Sequence, residues 1–271
     1  MRYTFLILLL VVTICTYAQR AAPWNGKQCA VVLTYDDAID VDLDHVAPAL
    51  DSMNFKGTFY IIGSSPSLNR RMNEWRAIAK EGHELGNHSL RHPCAGSLPG
   101  RTFVTPENDL SRYTVDREVN EIRINNILLK AIDGKDKRTF AYPCGDLKIR
   151  DTFFYDRLKG DFVAARGVAP AMTTAATTDL TDVNCYAING QTGAQMIELV
   201  KQAMQTHTLL VFLFHGVGGG HNLNVGLNDH SQLLHFLKEH EKEIWVAPMV
   251  DVASYIQAYR QASANPTGSN K

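Results

Sequence analysis

Acidic and imidazole side chains stand in three short stretches of the chain, and their types are those that assist metal-dependent hydrolysis. In "VVLTYDDAID" (31–40), an apolar run ends in Asp36 and Asp37. Two adjacent carboxylates repel each other, so the pair is most useful chemically if a cation neutralises one and the other accepts a proton. The simpler alternative is that the two acids cap a following helix or lie in a turn.

The stretch "ELGNHSLRHP" (84–93) contains His88 and His92. Their i, i+4 spacing places both imidazoles on one face of a helical turn, and Pro93 should end that turn at His92. Two neutral imidazoles and one carboxylate are a common ligand set for a catalytic divalent metal, and they leave positions open for water and substrate. Zinc is our first choice, with cobalt, nickel or manganese as alternatives. The same spacing also arises by chance on solvated helices.

Candidate catalytic groups also stand at the ends of two further predicted strands. "TLLVFLFHGVGGG" (208–220) runs from a buried strand into His215 and a glycine turn, so His215 should emerge beside the two aspartates; alternatively, it packs beneath the glycine loop. "TFAYPCGD" (139–146) ends a short strand at Tyr142, Pro143 and Cys144. Backbone N–H groups in that turn could bind an oxyanion.

The elements that must position these residues alternate along the chain. Apolar runs predict strands at 29–35, 57–62, 84–86, 139–142, 161–164, 208–215 and 244–246. Helical patterns lie between them, at 43–53, 73–81, 114–132, 192–205, 230–240 and 249–259. This alternation indicates an α/β fold, either a parallel barrel or a doubly wound sheet. Active sites of such folds gather at the carboxyl ends of the strands, where Asp36 and Asp37 would lie.

Composition allows one large domain and excludes some partners. The chain has 271 residues, 45% hydrophobic and 20% charged, with a formal net charge of −1. It can therefore bury a sizeable core. No basic block or acidic tail indicates binding to nucleic acid or to an anionic membrane surface. The oligomeric state is not determined by the sequence.

The first 18 residues read as a secretory signal peptide. Arg2 precedes an apolar run too short to span a bilayer, and Thr16 and Ala18 are small residues suited to cleavage after Ala18. A lipoprotein anchor on Cys15 is the less favoured alternative. We therefore expect a periplasmic or extracellular protein without a membrane span after signal removal. Residues 19–261 would form one catalytic domain, and residues 262–271 a disordered tail.

Taken together, three motifs resemble those of the polysaccharide deacetylase family, also called carbohydrate esterase family four. "TYDD" is similar to its first motif, "HSLRH" to the second, H-[ST]-x-x-H, and "LFH" to the L-x-H of the last. The resemblance covers residues 29–259. It implies a distorted (β/α) barrel of about seven parallel strands that removes N- or O-acetyl groups from chitin-like glycans, peptidoglycan or xylan with the help of a metal.

The resemblance also implies roles for single residues. Asp37, His88 and His92 would bind the metal, Asp36 would be the catalytic base and His215 the general acid. Tyr142 and Cys144 occupy the third motif and would contact the substrate and the oxyanion. This motif commonly reads R-x-P-Y-G, whereas residues 141–145 read "AYPCG" and lack the arginine that orients the base. Arg166 is a candidate replacement; the alternative is a solvated arginine.

Four cysteines remain after signal removal, and from the residues alone three complete pairings are open. If the second and third motifs converge at the metal, Cys94 and Cys144 should be close enough for a disulfide. Cys29 and Cys185 would then pair with each other or stay free.

Four further histidines and two tryptophans have packing or surface roles as their simpler interpretation. These are His83, His221, His230, His235, Trp75 and Trp245; the histidines could instead extend the site, and the two tryptophans, like Trp24, could stack on sugar rings. Two other functions compete with the deacetylase. One is a metal hydrolase of a different C–N bond, and the other is a non-catalytic carbohydrate-binding relict, which would have no need of Asp36 and His215.

Overall fold

A single parallel sheet carries the candidate residues. The computed structural model describes residues 24–264. The strands of the sheet are, in chain order, β1 (Cys29–Asp36), β2 (Thr58–Ile61), β3 (Glu84–Asn87), β4 (Phe140–Ala141), β5 (Ala165–Arg166), β6 (Tyr186–Ala187), β7 (Leu209–Phe214) and β8 (Ile244–Val246). Two-residue ladders outside this sheet join Lys148–Ile149 to Thr152–Phe153 and Gly216–Val217 to Asn224–Val225.

The sheet is curled into a half-barrel. Seven strands follow the order β5-β4-β3-β2-β1-β7-β6, and β8 pairs with the first half of β1 beside that path. Every pair in this sheet is parallel. The prediction of a distorted (β/α) barrel with about seven parallel strands is therefore confirmed.

Central strand β1 is buried on both faces, as expected for a parallel strand covered on each side. Its residues Val31, Leu33 and Tyr35 pack into the larger apolar cluster, with residues of the helices at Ala47–Ser52, Pro66–Lys80, Gly193–Thr206 and Leu227–Glu239. Ala30 and Val32 face the other side and pack with residues of the helix at Met249–Ala264. Because alternate residues of β1 face two different apolar clusters, the register of β1 is fixed, and Asp36 is thereby placed at the strand end.

The helices connect and cover the strands. They are α1 (Ala47–Ser52), which follows a π-helical turn at Asp42–Val46, α2 (Pro66–Lys80), α3 (Val115–Asp133), α4 (Gly193–Thr206), α5 (Leu227–Glu239) and α6 (Met249–Ala264). Thr192 and Gln195 form a capping box at the start of α4. Gly134 ends α3 in the left-handed conformation, at φ 73°. No helix of the described part is long and apolar enough to cross a membrane.

Several predicted boundaries are wrong, for local reasons. The strand expected at 161–164 lies at Ala165–Arg166, and β6 was not predicted at all, because two-residue strands leave no periodic pattern. Helix α2 begins at Pro66 and not at 73, with Ser65 as its N-cap. Helix α6 continues to Ala264, so residues 262–264 are helical and not tail. The expected signal peptide and the rest of the tail lie outside the described residues.

The tryptophans have packing positions. Trp75 is fully buried in α2, and Trp24 is buried with its indole N–H donating to the carbonyl of His207. Trp245 lies in β8 and is half-buried against Tyr255. None of the three lines the cleft described below.

Candidate functional site

The candidate residues meet in one cleft at the carboxyl ends of the strands. Asp36 is the last residue of β1 and Asp37 follows it, His88 follows β3, and His215 follows β7. The cleft has a volume of about 940 Å³. Its lining includes the residues proposed from the sequence, namely Asp36, Asp37, His88, His92, Tyr142, Cys144 and His215.

Asp37, His88 and His92 form a compact group. Oδ1 of Asp37 lies 3.6 Å from Nε2 of His88 and 3.6 Å from Nε2 of His92. Asp37 reaches this position with φ at 82°, and His92 with φ at 54°, so both backbones lie in the left-handed region. Two strained residues in one group are typical of a functional site.

The hydrogen bonds of the two imidazoles leave their Nε2 atoms free. Nδ1 of His88 lies 2.8 Å from the carbonyl oxygen of Ala141, to which it must donate its proton. Nδ1 of His92 lies 3.5 Å from Sγ of Cys94, which carries no proton because it is disulfide-bonded. In both rings the lone pair is therefore on Nε2, facing Asp37. A histidine whose Nδ1 donates to a carbonyl oxygen, as in His88, is a usual metal ligand.

These three residues fit a divalent metal ion. Oδ1 of Asp37 is buried and has no hydrogen-bond partner within the described chain, which is costly for a carboxylate oxygen unless a cation contacts it. An ion bound tetrahedrally at about 2.1 Å holds its ligand atoms about 3.4 Å apart. The two 3.6 Å separations agree with that value.

Two other groupings of potential ligands are less suitable. His92, Cys94 and Cys144 lie close together, but both sulfurs belong to a disulfide and cannot act as thiolates. Asp51, Glu81 and His83 also lie close together, yet Lys56 already pairs with Asp51. The group of Asp37, His88 and His92 is thus the better metal centre.

Asp36 is held by Arg166. Nη2 of Arg166 lies 2.5 Å from Oδ2 of Asp36, and both side chains are almost fully buried. The solvated alternative for Arg166 is therefore wrong. Ala141, which stands where the family motif has its arginine, is the register partner of Arg166 across β4 and β5. The cation is thus supplied from the neighbouring strand, at the same level of the sheet.

The two adjacent aspartates differ in acidity. Burial opposes ionisation of Asp36, but Arg166 outweighs it with help from His88 and His215, so the pKa of Asp36 lies below its usual value. Burial, reinforced by the charge of Asp36, raises the pKa of Asp37. A cation at Asp37 would offset this penalty.

The three site histidines are neutral at neutral pH without a metal. Burial lowers the pKa of His88 to about 3, and it also lowers the pKa values of His92 and His215. Neutral imidazoles are the form that binds a metal.

His215 and His221 stand on the other side of Asp37. Nε2 of each lies 3.9 Å from Oδ2 of Asp37, and their rings stack with centroids 4.7 Å apart. Nδ1 of His215 is buried and has no partner in the described chain. The ring of His221 lines the cleft at a half-exposed position, which is compatible both with a surface role and with the alternative that it extends the site. Its position depends on a loop after β7, which no periodic pattern predicts.

The other singled-out histidines lie outside the cleft. His230 is buried and its Nε2 lies 2.8 Å from the hydroxyl of Tyr35, and His83 is buried beside Asp51. His235 is exposed on α5. The packing and surface roles expected for these three agree with the structure.

The turn after β4 closes the cleft. Tyr142 lines the cleft but is 1% exposed, and its hydroxyl is occupied because it donates to the carbonyl of Thr181. Cys144 has φ at 55° and is bonded to Cys94, as predicted. Cys29 and Cys185 are buried free thiols. Arg101 pairs with Asp146 and also donates to the carbonyl of Cys144, which fixes the turn.

Comparisons with known proteins point to one family. The family model described as polysaccharide deacetylase matches residues 25–157. A gellan lyase from Bacillus sp is 27% identical over 179 residues, which are 66% of this chain and 6% of that protein. The peptidoglycan-N-acetylglucosamine deacetylase of Bacillus cereus is 34% identical over 128 residues, 47% of this chain and 40% of that protein. The chain thus spans less than half the length of either relative.

Among solved structures, a mutant of peptidoglycan deacetylase PdaC from Bacillus subtilis has the same fold. Its TM-score is 0.55, and the alignment covers 90% of this chain and 98% of that one. The sequence identity is 15%, so this likeness concerns the fold alone.

Proposed function

This chain belongs, through residues 25–157, to the polysaccharide deacetylase family, and from this membership we propose that it is a metal-dependent hydrolase that removes acetyl groups from a carbohydrate. Asp37, His88 and His92 would bind the metal, with zinc as the first candidate and cobalt, nickel or manganese as alternatives. Asp36 would act as the base and His215 as the acid.

One observation carries the proposal. Oδ1 of Asp37 is buried without a hydrogen-bond partner among the described residues and faces the unprotonated Nε2 atoms of His88 and His92, 3.6 Å from each. A carboxylate and two imidazoles in this arrangement offer three ligand atoms to a divalent ion. When bound there, such an ion would polarise the acetyl carbonyl and acidify a water molecule.

Asp36 is suited to accept the proton of the attacking water. Arg166 occupies its Oδ2, and its Oδ1 is buried without a partner in the described chain. The ion pair with Arg166 keeps Asp36 ionised, so it can act as a base at neutral pH. It also fixes the orientation of the carboxylate, which replaces the function of the absent third-motif arginine.

The remaining groups would stabilise charge and protonate the leaving group. Nε2 of His215 lies 3.9 Å from Oδ2 of Asp37, and His215, after taking up a proton from solvent, would donate it to the departing amine or hydroxyl. In the turn after β4, the N–H groups of Gly145 and Asp146 already donate to backbone carbonyls. The N–H of Cys144 is then the donor of this turn that would bind the oxyanion.

Acetylated glycans are the substrate class that the cleft and the relatives support. The cleft is open and about 940 Å³, large enough for one sugar and its neighbours. The Bacillus cereus relative acts on N-acetylglucosamine of peptidoglycan, according to its name. Peptidoglycan, chitin-like oligosaccharides and acetylxylan are therefore the candidates, and export through residues 1–18 would bring the domain to such polymers.

Acetate release tests this function. The purified chain would be incubated with chitooligosaccharides, peptidoglycan and acetylated xylan, before and after chelation and after re-addition of zinc or cobalt. We expect release from at least one glycan, loss on chelation and recovery on metal addition. Full activity in the extensively chelated protein would remove the metal from the mechanism. Glycan binding without any acetate release would favour the carbohydrate-binding relict, and hydrolysis of small amides alone would favour the other C–N hydrolase.

A further inference from the structure

His221 is held in the cleft by a loop built around glycine. The loop runs between the paired segments Gly216–Val217 and Asn224–Val225, and Gly218, Gly219 and Gly220 all have positive φ. A Cβ on Gly220 would come within 2.8 Å of the side chain of Val41. Larger residues would therefore disturb this close approach, and the loop holds His221 in one place.

A hydrogen bond from the backbone to Nδ1 fixes the tautomer of His221. The backbone N–H of Leu223 donates to Nδ1 of His221 over 3.0 Å. Nδ1 must then carry a lone pair, and a neutral imidazole has its single proton on the other nitrogen. Nε2 of His221 is thus an N–H donor.

This tautomer excludes His221 from the metal ligands. A ligand needs a lone pair on the atom that faces the ion, as Nε2 of His88 has. His221 instead turns an N–H toward the cleft, 3.9 Å from Oδ2 of Asp37 and beside His215. Oδ1 of Asp37 faces the proposed ligands, whereas His221 lies by Oδ2 and stacks on His215, the proposed acid of the leaving group.

We infer that His221 is a substrate-binding residue whose Nε2–H donates a hydrogen bond to an oxygen of the acetylated sugar on the leaving-group side. This inference rests on the proposed function. The side chain is 33% exposed, which leaves it accessible to a ligand while the stacked ring of His215 supports one face. His215 transfers the proton and His221 orients the sugar that receives it.

Two substitutions at His221 distinguish the effect of its N–H donor from the effect of its aromatic ring. His221→Gln keeps an N–H donor of similar reach and loses the stacked ring, whereas His221→Phe keeps a ring and loses the donor. His235→Gln and His235→Phe, at an exposed position of α5, are the matched controls. We expect kcat/KM for acetate release to fall about tenfold or more in His221→Phe and much less in His221→Gln, since a neutral hydrogen bond contributes about that factor.

Metal content and glycan binding complete the test. Both His221 variants should retain as much zinc as the unaltered chain, and a loss of zinc would overturn the inference by making His221 a ligand. Full activity in His221→Phe, or a larger loss in His221→Gln, would overturn it by showing that only the ring matters.

Calorimetric binding of the same acetylated oligosaccharides to the zinc-loaded chain in an Asp36→Asn background separates this inference from the proposed function. Weaker binding in the added His221→Phe variant supports the role of His221 even if the unaltered chain releases no acetate. Equal binding with and without His221→Phe would overturn the role of His221, whatever the activity.

Discussion

Asp36 and Asp37 are neighbours of the same residue type, yet their surroundings suit them to different tasks. One oxygen of Asp36 is fixed by a buried arginine 2.5 Å away. Within residues 24–264 no arginine forms an ion pair with Asp37, and its Oδ1 faces two imidazole nitrogens. An aspartate that already has a cation can serve as a base, and one that lacks a cation can serve as a ligand.

Substitution of each aspartate by asparagine tests this division. Asp36→Asn should retain the metal and lose about two to four powers of ten in turnover, the usual contribution of positioned acid–base catalysis. Asp37→Asn should instead weaken metal binding, because an amide oxygen is a poorer ligand than a carboxylate. Metal analysis of the purified variants, beside their rates of acetate release, checks both expectations. A metal-free Asp36→Asn protein would indicate that Asp36 is a metal ligand. A metal-loaded and fully active Asp36→Asn protein would show that Asp36 is not the base.

Residue types and spacing predicted Asp36, Asp37, His88, His92 and His215 as cleft residues, because each follows a strand end. Arg166 was a named candidate only because the family motif lacked its arginine. Its partner Asp36 lies 130 positions away, and only the sheet order from β1 through β2, β3 and β4 to β5 brings the two segments together. His221 lies in the cleft because a glycine loop, which has no periodic pattern, carries it there.

Helix α3 contains a buried acidic residue that does not belong to the cleft. Glu118 is fully buried in its first turn, and neither carboxylate oxygen has a partner in the described chain. Burial, assisted by the nearby charge of Glu121, raises the pKa of Glu118 to about 8. The folded chain therefore keeps a proton on Glu118 that the unfolded chain releases near its ordinary value of 4.5.

Stability should consequently fall with rising pH between about 4.5 and 8. In that range the folded state binds more protons than the unfolded state, so the free energy of unfolding decreases as pH increases. Glu118→Gln should remove this decrease and be more stable than the unaltered chain by roughly 4 kcal/mol at pH 8.5, with a much smaller difference at pH 5. Urea denaturation at both pH values measures this. Glu198→Gln, at an exposed position of α4, is the control, and an equal effect there would refute the explanation.

At the scale of elements, long and strongly patterned segments were predictable and short ones were not. The pattern placed α3 and α4 within two residues of their observed bounds, because caps at Thr114 and Thr192 mark their starts. Helix α2 begins earlier than predicted, since its first turn has a weak apolar pattern and only the Ser65–Pro66 pair indicates the start. The position of strand β5 is determined by its pairing within the sheet and not by the β-propensity of its own two residues.

Across the whole molecule, the end of the sheet opposite the cleft has its own polar anchor. Glu84 begins β3 and is buried. Its Oε1 accepts from the N–H and hydroxyl of Thr139, and its Oε2 accepts from the hydroxyl of Thr58 and the N–H of Val250. One carboxylate thus ties β2, β3 and the start of β4 to helix α6.

Removal of the Glu84 carboxylate should lower the free energy of unfolding and leave catalysis unchanged. Glu84→Ala leaves two buried N–H donors without a partner, which should cost about 3 kcal/mol or more of the free energy of unfolding. The folded fraction should keep its metal and its turnover, because the cleft lies at the other end of the strands. Denaturation and activity at low temperature check the two parts. Glu198→Ala is the control, and a loss of metal from folded Glu84→Ala would contradict the separation of the two ends.

The Cys94–Cys144 bond makes the site sensitive to reducing agents. It links the segment after His92 to the turn that carries the N–H of Cys144, so a reductant would loosen a proposed ligand and the proposed oxyanion donor together. A phosphine that reduces disulfides but binds zinc weakly should lower activity before the metal is lost, and reoxidation should restore it. Thiol labelling counts the newly accessible cysteines, because Cys29 and Cys185 are buried. A fully reduced chain with undiminished turnover would show that the covalent link is dispensable; otherwise, active preparations need an oxidising medium.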